Sequence, residues 1–191
     1  MAKEAVLAFI TFRDSHLAEL VSTAARGDRA AFAELHRRYH RMVHGLLLAR
    51  VPAAAADDLV QDVFVTALER LVGLHDGEAF GGWLAQIARN RAIDHLRATK
   101  LTGELPPDLP ARGRADAAAE AAQALAAIRS LPEAYRETLI LRLVEGLTGP
   151  EIAQQTGLTA ASVRVNLHRG MRLLRERLGL TAGGAMESDD A

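Results

Sequence analysis

The sequence predicts an all-α protein made of two small helical domains joined by a flexible linker. Three observations lead there. From about Leu17 to Lys100 apolar residues recur at helical spacing, and the only proline is Pro52, at a plausible helix start. The stretch from 101 to 116, LTGELPPDLPARGRAD, holds three prolines and two glycines and no sustained apolar period, as a spacer does. Periodicity returns from Ala117, stops at Leu131-Pro132, resumes through EAYRETLILRLVE and stops again at Gly146. The organisation expected is an N-terminal extension over 1–16, a helical domain over 17–100, the linker over 101–116, a second helical domain over 117–180 and a disordered acidic tail over 181–191.

Composition narrows the class. With 191 residues, 49% of them hydrophobic and 25% charged, the chain has enough apolar material for a core in each domain. No run approaches the roughly 18 apolar residues of a membrane span, and the start, MAKEAVLAFITFRD, has too short an apolar run for a secretory signal, so the expected location is the cytoplasm, without membrane contact by this chain. The chain has no cysteine, which removes disulfides, thiol switches and thiolate metal sites. A net charge of −1 hides a strong asymmetry. Residues 57–78 carry Asp57, Asp58, Asp62, Glu69, Asp76 and Glu78 against Arg70, whereas residues 160–178 carry five arginines against Glu176. An acidic patch and a basic helix point to two different partners, one of them nucleic acid.

The basic helix sits in a helix-turn-helix pattern. Thr148 followed by Glu151 is a capping-box pair, and Pro150 falls in a first turn that tolerates proline. Gly157 suits the tight turn that follows, and Thr159 is placed to cap the next helix. Small Ala153 lets the helices approach, with Leu158 and Val163 between them. In that second helix Val163, Leu167, Gly170 and Leu174 make the inward stripe. Ala161, Ser162, Arg164, Val165, His168, Arg169, Arg172 and Arg175 are left outside. Such a face suits a major groove: arginine pairs with guanine or holds phosphate, and Val165 can meet a thymine methyl. The candidates for DNA contact here are Ser162, Arg164, Val165, His168, Arg169 and Arg172.

Two further helices carry polar faces. In DLVQDVFVTALERL the residues Leu59, Val63, Ala67 and Leu71 point inward, leaving Asp58, Gln61, Asp62 and Glu69 as an acidic, hydrogen-bonding face. In WLAQIARNRAIDHLRATK the residues Asn90, Asp94 and Arg97 form one stripe opposite Leu84, Ala88, Ala92 and Leu96. Asp94 either meets a ligand or orients Arg97 or Arg91, and Trp83, at the start of that helix, is expected in the core rather than stacked on a base.

The runs ARGDRAAFAELHRRY (25–39), DLVQDVFVTAL (58–68), WLAQIARNRAIDHLR (83–97) and LPEAYRETLILRLVEGLTGPEIAQQTGLTAASVRVNLHRGMRLLRERL (131–178) resemble, in order, regions two and four of the extracytoplasmic-function sigma factors of bacterial RNA polymerase. The resemblance implies a non-enzymatic protein that binds core RNA polymerase and promoter DNA and directs transcription initiation. It implies that Asp58, Gln61 and Asp62 bind core polymerase. It also implies that Asn90, Asp94 and Arg97 read the proximal (−10) element as it melts, that Arg89, Arg91 and Lys100 contact its phosphates, and that the second helix of the helix-turn-helix grips the distal (−35) element as duplex. An anti-sigma protein is the regulator that the family implies, and the linker would run between the elements at the polymerase surface or channel. Two departures from the family pattern stand out. HDGEAFGG precedes Trp83 where relatives often carry an arginine, and Lys100 is the only basic residue just after Arg97.

Other functions have less behind them. His36, His40 and His44 share a helix face and could bind a metal, but the sequence places no carboxylate partner and the family pattern suggests packing, so neither metal nor cofactor is expected. No phosphate loop, nucleophile elbow or HExxH motif speaks for an enzyme. The rival is a dimeric helix-turn-helix regulator acting without polymerase. DLVQDVF argues against it, and gel filtration separates the two, since that regulator is a dimer without DNA.

Overall fold

The computed structural model describes residues 16–102 and 115–180, and among these every regular element is helical. The N-terminal extension up to residue 15, most of the linker and the tail from 181 lie outside the described residues. The helices are α1 (16–25), α2 (Arg29–Leu48), α3 (Ala53–Arg70), α4 (Phe80–Thr102), α5 (Ala115–Arg129), α6 (Glu133–Leu143), α7 (Gly149–Thr156) and α8 (Ala160–Arg177). Short 3₁₀ turns at Leu71–Gly73 and Gly77–Ala79 join α3 to α4. α4 thus runs two residues past Lys100, and α5 starts two residues before Ala117.

Local chemistry sets the helix ends. Asp28 caps α2 by accepting a hydrogen bond from the Ala31 N–H at 2.9 Å. Pro52 and Pro132 stand at the N-caps of α3 and α6, where a missing N–H costs nothing. The capping box of α7 forms in full: Thr148 Oγ1 accepts from the Glu151 N–H, and the Thr148 N–H donates to Glu151 Oε2 at 2.7 Å. Gly157 ends α7 at φ +75°, a left-handed conformation that a side chain disfavours, and Thr159 caps α8 through the Ser162 N–H.

In the N-terminal half, α2 lies against α3 and α4. Leu35, Tyr39, Met42 and Leu46 of α2 meet Val63, Phe64 and Ala67 of α3 and Phe80, Leu84 and Ala88 of α4, all buried. Trp83 is half-buried and packs on Phe80 with ring centres 5.8 Å apart, so it belongs to the core as expected. In the C-terminal half, Leu139, Ile140 and Leu141 of α6 are enclosed by Ile152 of α7 and by Val163, Gly170 and Leu174 of α8.

One apolar cluster runs through both halves, with α6 and α7 seated on α2 and α4. The physical reason lies at the end of α2. The last carbonyls of a helix lack internal partners, and its C-terminus is electronegative. Here Arg129 donates to the carbonyls of Leu48 (3.0 Å) and Val51 (2.7 Å), and Arg136 to that of Ala49 (3.3 Å), so arginines of the second half complete a helix of the first. Beside them Glu137, with 7% of its side chain exposed, takes ion pairs from Arg50 and from Arg89, the latter bidentate at 2.9 and 3.0 Å. Burial alone would raise the Glu137 pKa, but the hydrogen bonds from Arg89 and the charges of Arg50 and Arg89 outweigh it and hold the carboxyl below its ordinary range.

The same seam contains His44, whose Nδ1 lies 2.6 Å from Glu145 Oε1 and whose Nε2 lies 3.5 Å from Asp57. The hydrogen bond to Glu145, opposed by partial burial, raises the His44 pKa above its ordinary 6.5. A raised histidine contributes stability that is fully present below the ordinary value and lost as pH climbs through the raised one. The urea midpoint is therefore expected to fall as pH rises above about 6.5, with a slope that flattens in His44→Gln. An equal slope in both chains would remove His44 as its source.

Candidate functional site

α3 presents one continuous outward stripe. Asp58, Gln61 and Asp62 are exposed in its N-terminal part, and Leu59, Val63 and Ala67 are buried opposite them. The stripe then turns apolar: Val65 and Leu68 of α3 and Val72 of the 3₁₀ turn that follows it are 56%, 50% and 75% exposed and flank Glu69. Large aliphatic side chains grouped on one helix face and bordered by carboxylates fit a protein partner better than plain solvent. Sequence reading assigns the acids and misses the valines and leucine. The signal is there, since Val65 and Val72 continue the i, i+3, i+4 series of Asp58, Gln61 and Asp62.

Beside that stripe, α3 and α4 enclose a polar cleft of roughly 200 Å³ lined by Thr66, Arg70, Ile87, Asn90, Arg91 and Asp94. Arg91 Nη2 donates to Thr66 Oγ1 at 2.7 Å, and Thr66 in turn donates to the Asp62 carbonyl at 2.8 Å. Gln86 Nε2 donates to Asn90 Oδ1 at 3.0 Å, and Asn90 lines the cleft. Asn90, Asp94, Arg97 and Lys100 are exposed along α4. Asp94 stands 3.9 Å from Arg97, a loose pair of two solvated groups that leaves both usable. Arg89 departs from this set. It points to the other side of α4, half-buried, and its guanidinium is taken up by Glu137, whose hydrogen bond raises its pKa. Arg70, to which sequence reading gives no role, lines the cleft instead.

On α8 the expected division holds. Val163, Gly170 and Leu174 are buried and Leu167 half-buried, while Ser162, Arg164, Val165, His168, Arg169 and Arg172 are exposed, Val165 by 43%. Ser162 is tied to the Thr159 hydroxyl at 2.8 Å, and Arg172 donates to Glu176 at 3.0 Å. The other arginines of this face project from a helix whose N-terminus is fixed by its cap.

The three histidines of α2 form a ladder rather than a chelate. His36 and His40 ring centres lie 5.3 Å apart, His40 and His44 stack at 6.4 Å, and His36 packs on Phe64 at 4.2 Å. Burial, with the nearby His40 charge, lowers the His36 pKa. Among the described residues no group of three His, Cys, Asp or Glu is placed to hold a metal ion, and no helix is long and apolar enough to cross a membrane.

The chain matches the family model of Sigma-70 region 2 over residues 35–102 and that of Sigma-70 region 4 over residues 121–174. It is 33% identical over 184 residues to the ECF RNA polymerase sigma factor SigD of Mycobacterium tuberculosis, an alignment covering 88% of this chain and 87% of that protein. It is 31% identical over 175 residues to the ECF RNA polymerase sigma factor BldN of Streptomyces coelicolor, covering 86% of this chain and 66%, just under two thirds, of the relative. Among solved structures, CnrH in complex with the cytosolic domain of CnrY superposes with a TM-score of 0.61 at 26% identity, covering 87% of this chain and 99% of that one.

Proposed function

This chain belongs to the extracytoplasmic-function sigma factors of the sigma-70 family, and from that premise we propose that it binds core RNA polymerase through α3 and directs promoter-specific initiation from the cytoplasm. The observation that carries the residue assignment is the adjacency of two surfaces: the exposed acidic and apolar stripe of α3 and the polar cleft between α3 and α4. Asp58, Gln61 and Asp62 meet a basic helical partner on the polymerase, with Val65, Leu68 and Val72 extending the contact. A base drawn from the melting proximal element enters the cleft, where Asn90, Asp94 and Arg91 offer donors and acceptors to its edge. Arg97 and Lys100 follow the strand's phosphates. α8 takes the distal element in the major groove. An anti-sigma protein is the regulator to seek.

Run-off transcription with purified core polymerase and a promoter library tests the whole reading. Promoter-specific transcripts support it; transcripts no different from core polymerase alone would overturn it. Within the same library, Arg164→Ala is expected to change which distal elements are used, since each bidentate pairing with a base is worth about 1–3 kcal/mol of discrimination, whereas Arg175→Ala lowers use of all promoters alike. A profile unaltered by Arg164→Ala would place its guanidinium on phosphate instead.

A further inference from the structure

Arg89 and Arg91 are near neighbours on α4 with opposite surroundings. Arg89 is taken up by a carboxylate, that of Glu137. Arg91 is held by a neutral group instead: its Nη2 donates to Thr66 Oγ1 at 2.7 Å, across the gap between α4 and α3. Thr66 is 4% exposed, and its one hydroxyl hydrogen goes to the Asp62 carbonyl at 2.8 Å, so only the oxygen lone pairs are left for Arg91. A hydroxyl bonded back to its own helix is ordinary. A buried one that also anchors a guanidinium from another helix fixes where that guanidinium lies. Because the anchor is uncharged, Arg91 brings its positive charge uncancelled to the cleft that it lines.

Asp94 follows one turn along the same helix and lines the same cleft, so a carboxylate and a guanidinium stand side by side in roughly 200 Å³ of space. That pairing discriminates among the bases. Guanine alone carries two adjacent donors, N1–H and the N2 amino group, with the O6 acceptor next to them. The two oxygens of Asp94 match the donors, and Arg91 matches O6. Cytosine and adenine set a ring-nitrogen acceptor beside their single amino donor, and thymine sets its N3–H between two carbonyls, so each turns an acceptor toward the carboxylate. A site rejects a wrong base through polar groups left opposed or unpaired in this way. Ile87, 8% exposed, gives the ring an apolar wall, and Arg70 joins the lining from the α3 side, where it can meet the phosphate of the same nucleotide.

We propose that the cleft between α3 and α4 selects guanine from the opened proximal element, read by Asp94 and Arg91, with Thr66 as the residue that positions Arg91. The guanine preference rests on the single-stranded contact proposed above; the anchoring of Arg91 by Thr66 does not. The Thr66 hydroxyl is itself bonded to the backbone of Asp62, so the reading group is fastened to the helix that presents the acidic stripe. The loose pair of Asp94 with Arg97, both exposed, gives way to a base at little cost.

The test titrates the isotope-labelled full chain with short oligothymidylates that carry one central deoxyguanosine or deoxyinosine, and follows the amide signals of α4 by NMR. Inosine keeps N1–H and O6 and lacks only the amino group. The guanine oligomer is expected to shift the signals around Asn90 and Asp94 and to bind about tenfold more tightly than the inosine one, the worth of one hydrogen bond to a charged group. In Asp94→Ala the two should bind alike. Thr66→Val, which keeps the side-chain volume, should weaken both oligomers several-fold and equally, since O6 is common to them. Thr66→Ser should restore the parent affinity. Equal binding of the two oligomers by the parent, or shifts confined to α8, would overturn guanine selection. Parent affinity kept in Thr66→Val, or a loss in Thr66→Ser as deep as in Thr66→Val, would overturn the positioning role. Should Thr66→Val lose helix content by circular dichroism, the side-chain N–H signals of Arg91 in the parent decide, and a freely rotating guanidinium there overturns the anchor. No polymerase is present, so promoter-specific run-off transcripts together with equal oligomer binding would leave the proposed function standing and remove the guanine preference alone.

Discussion

Reversing the charge of Asp58 and Asp62 together, as Asp58→Lys with Asp62→Lys, is expected to weaken binding to core RNA polymerase by about 100-fold while the chain stays folded. Two lysines placed against a basic partner replace attraction by repulsion, and like charges brought together at an interface cost several kcal/mol; about 3 kcal/mol is two powers of ten in Kd. Folding is spared because both side chains are exposed and the buried residues of α3, Leu59, Val63 and Ala67, are untouched. Salt separates this effect from a packing one. The parent's affinity should fall as ionic strength rises, and the variant's should fall less. Undiminished recovery of core enzyme in a pull-down would move the polymerase contact off this face.

Helix faces are legible in the sequence because they are local. Leu84, Ala88 and Ala92 follow from spacing alone, as does the exposure of Asn90, Asp94 and Arg97 on the other side of α4. So do the cap at Thr148 and the left-handed Gly157, where the residue type and the backbone need coincide. Contact between distant segments is not legible in this way. Arg89 stands beside Asn90 in a basic run and reads with it as a DNA contact, but one residue turns a side chain about 100° around a helix, and this one meets Glu137 from α6. Nothing near residue 89 in the sequence announces a carboxylate at 137. Likewise, a proline-rich spacer says only that two segments are tethered, and the carbonyls at the end of α2 that draw the halves together are backbone groups without any sequence signature. The cleft shows the same limit, since Thr66 and Arg70 join Asn90 and Asp94 only once α3 and α4 are packed.

Glu137, between Arg50 and the half-buried Arg89, gives the largest effect expected on stability. Glu137→Leu leaves Arg89 without its carboxylate and Arg50 with only the exposed Glu133, and removing one partner of a buried pair costs about 3–5 kcal/mol. Arg50 has only 6% of its side chain exposed, so it cannot recover solvation by a change of rotamer alone. The chain escapes the penalty by parting its halves, and the loss should therefore appear as a lower urea midpoint with an early transition of smaller amplitude. Replacing all three residues at once, Arg50→Met, Arg89→Met and Glu137→Leu, removes the stranded charges and should recover most of that stability, because an apolar trio of similar volume is commonly neutral or better. The recovered chain should nonetheless initiate transcription poorly if Arg89 takes the phosphate role that the family resemblance implies, since it has no guanidinium at 89 to offer DNA. That contrast explains why charges stand where an apolar core would serve stability as well. Urea titrations of the parent and both variants decide the first part, and a Glu137→Leu chain within about 1 kcal/mol of the parent would mean that the carboxylate does not hold the seam. Run-off transcription by the triple variant decides the second, and full activity there would release Arg89 from any part in promoter engagement.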